Sequence, residues 1–177
     1  MADPRLETLR RLIRDVPDFP KPGILFKDIT PLLADGRALG LAIDLLAESL
    51  GSAKPTAIVG IESRGFLFGA PLARQLGVGF VPVRKPGKLP YKCRSVSYAL
   101  EYGTDRLEIH EDALGPQDRV FLLDDLLATG GTMAATCELV EHSGAQVLGC
   151  RFLIELGFLA GRARLGARDC RALLVYP

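Results

Sequence analysis

The chain has 177 residues, 48% of them hydrophobic, and a formal charge of +1, so it can bury a sizeable core and is not intrinsically disordered. The balanced charge disfavours a dedicated nucleic-acid-binding protein, since such proteins carry a strong basic excess. The longest stretch without a charged residue, 126–137, is too short to span a membrane. These features predict one soluble globular domain over residues 1–177.

The first 50 residues are predicted to form helices separated by an extended, proline-rich segment. Asp3-Pro4 is typical of an N-cap followed by proline in the first turn, and apolar residues keep helical spacing over 6–16. The prolines of residues 16–23 exclude helix, and we expect this segment to wrap over another part of the protein. Thr30-Pro31 again predicts a cap and first turn, and a longer helix is predicted over about 36–50.

From residue 57 onward, apolar strands alternate with helices. The predicted strands cover residues 57–61, 79–83, 119–123, 146–153 and 172–176, and the predicted helices cover 132–142, a segment ending at Gly77, and a short stretch near 158–165. Pro82 places the second of these strands at an edge, a strand end or a bulge. This alternation predicts an α/β fold around a mostly parallel sheet, in which ligands bind at the carboxyl ends of the strands.

Two further segments lie between the second and third of these strands. Residues 85–96 are rich in Lys and Arg and are predicted to form a basic loop. Residues 97–102 and 106–110 are predicted to form a hairpin around Gly103-Thr104. A charged loop is most often only a solvated surface, so this pattern alone does not identify a site.

The four cysteines, Cys93, Cys137, Cys150 and Cys170, lack metal-ligand spacing, and three of them lie among apolar neighbours. A chain with a full core does not need disulfides, so we predict buried, reduced thiols. The N-terminal residues alternate in charge and lack the apolar core of a secretory signal. Together these observations predict a cytoplasmic protein.

The most informative stretch follows the apolar strand that ends at Leu123. Two adjacent carboxylates, Asp124 and Asp125, precede a small glycine-rich turn that opens a helix. Glycines let backbone N–H groups approach an anion closely, and the helix N-terminus adds a favourable dipole. We interpret this turn as a phosphate-binding cradle, formed by Ala128, Thr129, Gly130, Gly131 and Thr132.

The two carboxylates do not suit the phosphate itself, because like charges repel. They suit sugar hydroxyls, or a metal bound to the ligand, so a ribose 5-phosphate fits both halves of the motif. The alternative interpretation is an ordinary strand end followed by a capped helix. The chain lacks the Gly-Lys-Ser/Thr sequence that ends a Walker motif, which disfavours nucleoside triphosphatases. It also has no G-x-G-x-x-G after a strand, which disfavours dinucleotide-binding folds.

A second anion site is predicted where a strand meets a helix at Glu62-Ser63-Arg64-Gly65, because backbone N–H groups and a guanidinium come together there. A hydrolase nucleophile would need glycine two residues before the serine, and Ile61 occupies that position. Ser63 is therefore interpreted as a hydrogen-bond donor to an anion and not as a nucleophile.

Residues 120–132 resemble the phosphoribosyl-pyrophosphate motif of the type I phosphoribosyltransferases, in the version found in adenine-using members. Residues 19–32, 60–66, 84–90 and 98–103 resemble other characteristic blocks of that family, in the same order. The resemblance implies a mostly parallel central sheet flanked by helices. It also implies a small hood at about 15–34 and a flexible basic loop at about 85–96 next to a hairpin.

The same resemblance implies a reaction. The phosphoribosyl group of 5-phosphoribosyl 1-pyrophosphate would be transferred to adenine, giving AMP and pyrophosphate, with Mg²⁺ bound mainly through the substrate. A homodimer is expected, and neither nucleic acid nor membrane is expected as a partner. The alternatives are a non-catalytic nucleotide-sensing regulator on the same fold and a phosphoribosyltransferase for another base.

The resemblance also implies roles for single residues. Glu101 would exchange a proton with N7 of the purine, and Asp124 and Asp125 would hold the ribose. Pyrophosphate would contact Glu62, Ser63, Arg64, Arg84, Lys85 and Lys88, with a cis peptide at 62–63 and with Lys85 reaching across a dimer interface. The base would contact the backbone of Leu25 and Lys27 and the side chains of Phe26 and Leu159, for which core packing is the alternative. Lys27 replaces the arginine that is commoner in the family. Specificity for the base is expected to be retained, because the contact is through the backbone.

Overall fold

The computed structural model describes residues 3–99 and 104–177. The chain groups into two compact units, Met1–Leu45 and Leu46–Pro177. The single-domain assignment and the hood at 15–34 stay predictions.

The first unit begins with helix α1 (Pro4–Arg10). Its N-cap is Asp3, whose side chain accepts a hydrogen bond from the backbone N–H of Arg5, and Pro4 occupies the first turn, so this predicted start is confirmed. The predicted end near residue 16 is wrong. Residues 14–17 instead form strand β1 (Arg14–Pro17), because they pair with β2 (Leu25–Asp28) in an antiparallel ladder.

Two helices follow this strand pair. In α2 (Thr30–Ala34), Thr30 is the first helical residue and not the cap. The side chain of Asp28 accepts hydrogen bonds from the Thr30 backbone N–H and hydroxyl, each at 2.9 Å, so Asp28 serves the helix start. Helix α3 (Gly36–Ser49) matches the predicted helix to within a residue and continues into the second unit.

The second unit contains the parallel sheet. Its elements, in chain order, are β3 (Ala57–Ile61), α4 (Gly65–Leu76), β4 (Gly79–Val83), β5 (Cys93–Ala99), β6 (Thr104–His110), β7 (Arg119–Leu127), α5 (Gly131–Glu141), β8 (Gln146–Leu156), a 3₁₀ turn (Gly157–Leu159), α6 (Arg162–Leu165) and β9 (Cys170–Tyr176). Five strands form the sheet in the order β4-β3-β7-β8-β9, and every neighbouring pair is parallel. The predicted α/β class is confirmed, and Pro82 lies in the edge strand β4, as expected.

Strands β5 and β6 form a separate antiparallel pair, with Cys93 opposite His110 and Ala99 opposite Thr104. The predicted loop 85–96 is therefore wrong beyond residue 92. Residues 93–96 are strand because Val96, which is buried, pairs with the fully buried Leu107. The charges of this stretch concealed an apolar position that the hairpin buries.

Strand β7 is longer than predicted. It continues past Leu123 to Leu127, where it pairs with Glu155 of β8. Asp124 and Asp125 are thus strand residues whose backbone is held by the sheet, and the turn begins only at Ala128. Likewise β8 extends to Leu156 and not to residue 153.

All four cysteines are free thiols. Cys137 and Cys150 are buried with their sulfur atoms 3.7 Å apart. Cys93 and Cys170 are only partly buried, so the prediction that all four are buried is wrong for these two, which lie at the starts of β5 and β9. Among the helices of the described residues, none is both long and apolar enough to cross a membrane.

Candidate active site

The turn between β7 and α5 forms a small concave site. It lines a cavity of about 70 Å³ together with Asp124 of β7. Gly130 has a φ of +80°, a backbone conformation that favours glycine, and α5 starts at the next residue. The structure therefore brings together all five residues of the predicted phosphate cradle, namely Ala128, Thr129, Gly130, Gly131 and Thr132.

A larger cavity of about 440 Å³ lies against the first and shares Asp124, Leu126, Ala128 and Thr132 with it. It is also lined by Asp125 and by the turn that follows β3. The predicted ribose-binding carboxylates thus face the same space as the predicted phosphate cradle. Such an arrangement can bind a ligand that carries an anion at one end and hydroxyl groups beside it.

The two carboxylates differ in their electrostatic surroundings. Burial raises the pKa of Asp124 well above its usual range, and the neighbouring charge of Asp125 raises it further. Burial also raises the pKa of Asp125, but the guanidinium of Arg64 opposes that effect. The Nε atom of Arg64 lies 2.7 Å from Oδ2 of Asp125. Asp125 is therefore the carboxylate held by a cation, and Asp124 is the one that binds a proton more readily.

The second predicted anion site lies where β3 ends. The peptide bond between Glu62 and Ser63 is cis, as the resemblance implies. Gly65, the first residue of α4, lies against β7, since a Cβ atom there would lie 2.7 Å from the Leu123 carbonyl oxygen and 3.2 Å from Cα of Asp124. Glycine thus lets α4 begin next to the carboxylate pair and brings Arg64 to Asp125.

Glu62 fastens the basic segment that follows β4. Its carboxylate accepts hydrogen bonds from Nε and Nη2 of Arg84 (3.2 and 3.3 Å), the backbone N–H of Lys85 (3.0 Å) and Nζ of Lys88 (2.9 Å). Burial alone would raise the pKa of Glu62, but these contacts outweigh it and lower the pKa to about 2. The side chain of Glu62 therefore stays ionised and binds cations. A contact of this residue with pyrophosphate would use its backbone.

A chain of polar contacts that the sequence did not reveal connects the two anion sites. Lys85 lines the larger cavity, and its ammonium group pairs with Asp105. Asp105 also accepts a hydrogen bond from the Tyr98 hydroxyl at 3.0 Å, and that hydroxyl lies 3.3 Å from Oγ1 of Thr132. Tyr98 and Asp105 pair across the β5–β6 hairpin, so only the strand register, which sequence reasoning did not provide, could have located them.

The predicted base contacts of the first unit lie on β2. Pro17 is opposite Leu25, and Asp15 is opposite Lys27. Because proline has no N–H, the Pro17–Leu25 pair cannot be doubly hydrogen-bonded. Bonded and non-bonded pairs alternate along an antiparallel ladder, so the Asp15–Lys27 pair is also non-bonded. The backbone N–H and C=O groups of Leu25 and Lys27 therefore point away from β1, along the same edge of β2.

Other predicted base and catalytic residues are placed as follows. Phe26, which is partly buried, packs edge-on against Phe19 with ring centroids 5.1 Å apart. Leu159 ends the 3₁₀ turn of the second unit and is 37% exposed, which argues against core packing at that position. Glu101 lies outside the described residues.

The fold and these cavities define an α/β protein with two adjoining cavities at the carboxyl ends of its parallel strands, lined by a carboxylate pair and a glycine-rich helix start. Residues 30–169 match the family model described as phosphoribosyl transferase domain. An adenine phosphoribosyltransferase of Nitrosococcus oceani is 58% identical over 171 residues, covering 97% of this chain and 100% of the relative.

Solved structures agree with this match. The adenine phosphoribosyltransferase of Thermoanaerobacter pseudethanolicus has a TM-score of 0.94 at 55% identity, covering 97% of this chain and 99% of that one. The enzyme of Saccharomyces cerevisiae, complexed with an imino-altritol bisphosphate and adenine, has a TM-score of 0.91 at 43% identity, covering 97% and 99%. The chain belongs to the phosphoribosyltransferase family and, within it, to the adenine phosphoribosyltransferases.

Proposed function

We propose that this protein transfers the phosphoribosyl group of 5-phosphoribosyl 1-pyrophosphate to adenine, forming AMP and releasing pyrophosphate. The observation that carries the proposal is that a glycine-rich helix start and a carboxylate pair line adjoining cavities, beside a turn that carries Arg64. One ligand with a phosphate, ribose hydroxyls and a pyrophosphate matches these three features in order. The yeast relative was solved with adenine and a bisphosphate, which supports the same pair of substrates here.

The ribose end of the substrate is assigned to β7 and the turn after it. Backbone N–H groups at the start of α5 and the hydroxyls of Thr129 and Thr132 would bind the 5′-phosphate. Asp124 and Asp125 would accept hydrogen bonds from the ribose hydroxyls. As the C1′–O bond loosens, positive charge develops on the ribose, and carboxylates fixed beside it favour that charge.

The pyrophosphate end is assigned to residues 62–64 and 84–88. Backbone groups after β3 and the side chain of Arg64 would contact the leaving group, and Arg84, Lys85 and Lys88 would neutralise it. Glu62 binds the side chains of Arg84 and Lys88, and Asp105 binds the ammonium group of Lys85. These cations are therefore already held in place before the substrate binds. We also propose a homodimer from the family, in which Lys85 of one copy reaches the site of the other.

The base is assigned to the outward edge of β2. Adenine presents a donor at N6 and an acceptor at N1, and the C=O of Leu25 and the N–H of Lys27 are complementary to them. Hypoxanthine and guanine reverse this pattern and would leave both backbone groups unpaired, which disfavours them strongly. Glu101 would exchange a proton with N7 while N9 forms the new bond, and Leu159 would contact the ring.

Mg²⁺ fits the donor set of the site. Within residues 3–99 and 104–177, no cluster of three or more His, Cys, Asp or Glu side chains could hold a metal ion. Asp124 and Asp125 line the larger cavity, and their carboxylate oxygens would be the protein's donors to the ion. Mg²⁺ commonly binds through one or two carboxylates plus substrate phosphates. Bound mainly through the substrate, it would stabilise charge on the leaving pyrophosphate.

The cellular compartment is also a proposal. The sulfurs of Cys137 and Cys150 are 3.7 Å apart without a disulfide. Free thiols at such a distance fit a reducing environment, which supports a cytoplasmic location.

The direct test is incubation of the purified chain with Mg²⁺, 5-phosphoribosyl 1-pyrophosphate and one base at a time. Pyrophosphate release is measured with adenine, hypoxanthine, guanine and orotate. We expect release with adenine and at least 100-fold slower release with the other bases. Binding of AMP without any release would favour a nucleotide sensor, and a preference for another base would overturn the substrate assignment.

A further inference from the structure

The segment between the 3₁₀ turn and α6 packs directly on the phosphate cradle. A Cβ atom at Gly161 would overlap the carbonyl oxygen of Ala128 and would lie 3.0 Å from the backbone nitrogen of Gly130. Conversely, a Cβ atom at Gly130 would overlap the carbonyl oxygen of Gly161. The two backbones therefore touch with no side chain between them, and the atoms touched belong to the turn assigned to the 5′-phosphate.

The backbone conformation of Gly161 does not require glycine. Its φ of −58° and ψ of −26° are ordinary right-handed helical values, which any residue adopts easily. Gly130, in contrast, has a positive φ. A substitution at Gly161 therefore changes contacts with the cradle and with Cδ1 of Leu127, which a Cβ atom would approach to 3.0 Å, and leaves the backbone unstrained. A substitution at Gly130 would also strain the backbone.

The side that carries Gly161 is firmly anchored. The next residue, Arg162, donates hydrogen bonds from Nε and Nη2 to the carboxylate of Glu155 (2.7 and 2.5 Å) and from Nη1 to the Cys170 carbonyl (2.6 Å). Leu165 at the end of α6 is fully buried. Because β8 and β9 hold this segment in place, an added methyl group at residue 161 would displace the cradle.

We propose that Gly161 is a positioning residue for 5′-phosphate binding. By its lack of a side chain, it lets the anchored segment support the Ala128 carbonyl and the Gly130 backbone nitrogen in the arrangement that receives the phosphate. The proposal rests on the proposed function, in which this cradle binds the 5′-phosphate. Since Leu159 ends the 3₁₀ turn that directly precedes this segment, the segment also connects the phosphate end of the site to a predicted base contact.

The test is Gly161→Ala, with the affinities for ribose 5-phosphate and for pyrophosphate measured separately by calorimetry. We expect ribose 5-phosphate to bind at least tenfold more weakly and the affinity for pyrophosphate to change by less than twofold. The reason is that the three atoms nearest to a Cβ atom at residue 161 belong to residues 127, 128 and 130. In turnover, KM for 5-phosphoribosyl 1-pyrophosphate should rise more than kcat falls. Unchanged ribose 5-phosphate affinity, or equal losses for both ligands, would overturn the proposal.

Two further variants complete the test. Gly115→Ala is the matched control, since a Cβ atom there has no heavy atom within 4 Å, and it should leave both affinities unchanged. If Gly161→Ala does not fold, Arg162→Met tests the same support by releasing its anchor. This variant should lower the affinity for ribose 5-phosphate about threefold and leave the affinity for pyrophosphate unchanged. The absence of that selective loss would count against the proposal.

Thr132→Val separates this proposal from the assignment of the cradle. If Thr132→Val lowers the affinity for ribose 5-phosphate and neither Gly161→Ala nor Arg162→Met lowers it, only the role of Gly161 fails. If none of these variants changes that affinity, the phosphate assignment fails, and the role of Gly161 fails with it.

Discussion

The guanidinium of Arg64 lies 2.7 Å from the carboxylate of Asp125. The two residues come from different strand ends, β3 and β7, and they are implied to serve different parts of one substrate. Asp125 is nearly buried while Arg64 is more exposed, with 8% and 39% of their side chains accessible. Arg64 can therefore reach a ligand in the cavity and at the same time stabilise the charge of a ribose-binding carboxylate.

This ion pair leads to a prediction for Arg64→Ala. We expect pyrophosphate to bind about 10- to 100-fold more weakly, as is usual for the loss of a charge-assisted contact. The affinity for AMP should fall by less than threefold, because AMP has no group at the pyrophosphate site. Calorimetric titration with each ligand measures both values, and Arg94→Ala, on the hairpin, is the control. Equal losses for the two ligands would contradict the assignment.

A second prediction concerns Asp124, whose pKa is raised by burial and by Asp125. The unfolded chain loses this proton near the ordinary value of 3.8, before the folded chain does. Folding stability is therefore lost as pH rises above about 4 and stops changing above the raised pKa. Asp124→Asn removes this cost, so the variant should unfold several degrees higher than wild type at pH 7, while activity falls at least tenfold.

Thermal unfolding between pH 4 and pH 8 measures this effect. The gap in Tm between Asp124→Asn and wild type should shrink as pH falls towards 4. Asn keeps the oxygen that accepts the 2.9 Å hydrogen bond from the Asp125 backbone N–H, so the substitution tests the charge alone. A gap that does not vary with pH would show that the carboxylate carries no such cost.

Glu62 leads to the opposite pH dependence. Its pKa falls from 4.5 to about 2, since contacts with Lys88, Lys85 and Arg84 outweigh burial. Its contribution to stability is therefore present above pH 4.5 and is lost as pH falls through 2. Glu62→Gln should cost about 1 kcal/mol at pH 7, a modest value because the partner cations are partly exposed.

The check on Glu62 is urea unfolding of the variant and wild type from pH 2 to pH 7. The difference between them should disappear at the acid end of this range. Glu111→Gln, at an exposed position, is the control, and its stability should differ from wild type by less than that of Glu62→Gln. A constant loss across the range would mean that Glu62 acts through packing and not through its charge.

The sequence predicted the chemistry of the β7–α5 turn better than it predicted the limits of the elements. A buried strand, a carboxylate pair and a glycine-rich helix start are local features, so their meeting at Asp124 and Gly130 could be inferred from neighbouring residues. The end of β7 could not be inferred from neighbouring residues, because Leu127 is held in the strand by its pairing with Glu155. The partner of a strand is not local information.

The residues that sequence reasoning missed have the same explanation. Tyr98 and Asp105 meet only through the register of β5 and β6, and Gly161 matters only because α6 folds back onto the cradle. A single tyrosine, aspartate or glycine has no local pattern that marks it. In the β1–β2 pair, Pro17 was used in the sequence analysis only to exclude helix. Because it lacks an N–H, its pairing with Leu25 also indicates which edge of β2 faces away from β1.

A fourth prediction concerns the core of the second unit. The side chain of Arg151 is 1% exposed, pairs with Asp169 at 2.6 Å, and donates to the carbonyls of Ser49, Cys150 and Asp169. Arg151→Met fills a similar volume but leaves these acceptors without their donor. We expect a loss of about 3 kcal/mol and a Tm lower by about 6–12 °C.

Differential scanning calorimetry measures the loss for Arg151→Met, and turnover at 25 °C serves as the internal control. The side chain of Arg151 donates hydrogen bonds to Ser49, Cys150 and Asp169, and these residues do not line either cavity. We therefore expect kcat to stay within twofold of wild type while the protein is folded. A stable variant would show that the methionine packs well enough to offset the lost hydrogen bonds. A folded variant with lost turnover would mean that Arg151 acts on the site.

The last prediction concerns Glu101, which the resemblance assigns to proton exchange with N7 of the purine. Glutamine has nearly the same shape but cannot take or give that proton, so Glu101→Gln should lower kcat at least 100-fold, as expected for the loss of a general acid–base group. AMP affinity should change by less than threefold, because the amide can still form a hydrogen bond. Steady-state turnover and calorimetric AMP binding measure the two effects, with Glu111→Gln as the matched control. Equal losses in turnover and binding would mean that residue 101 only holds the base, and unchanged turnover would remove it from the reaction.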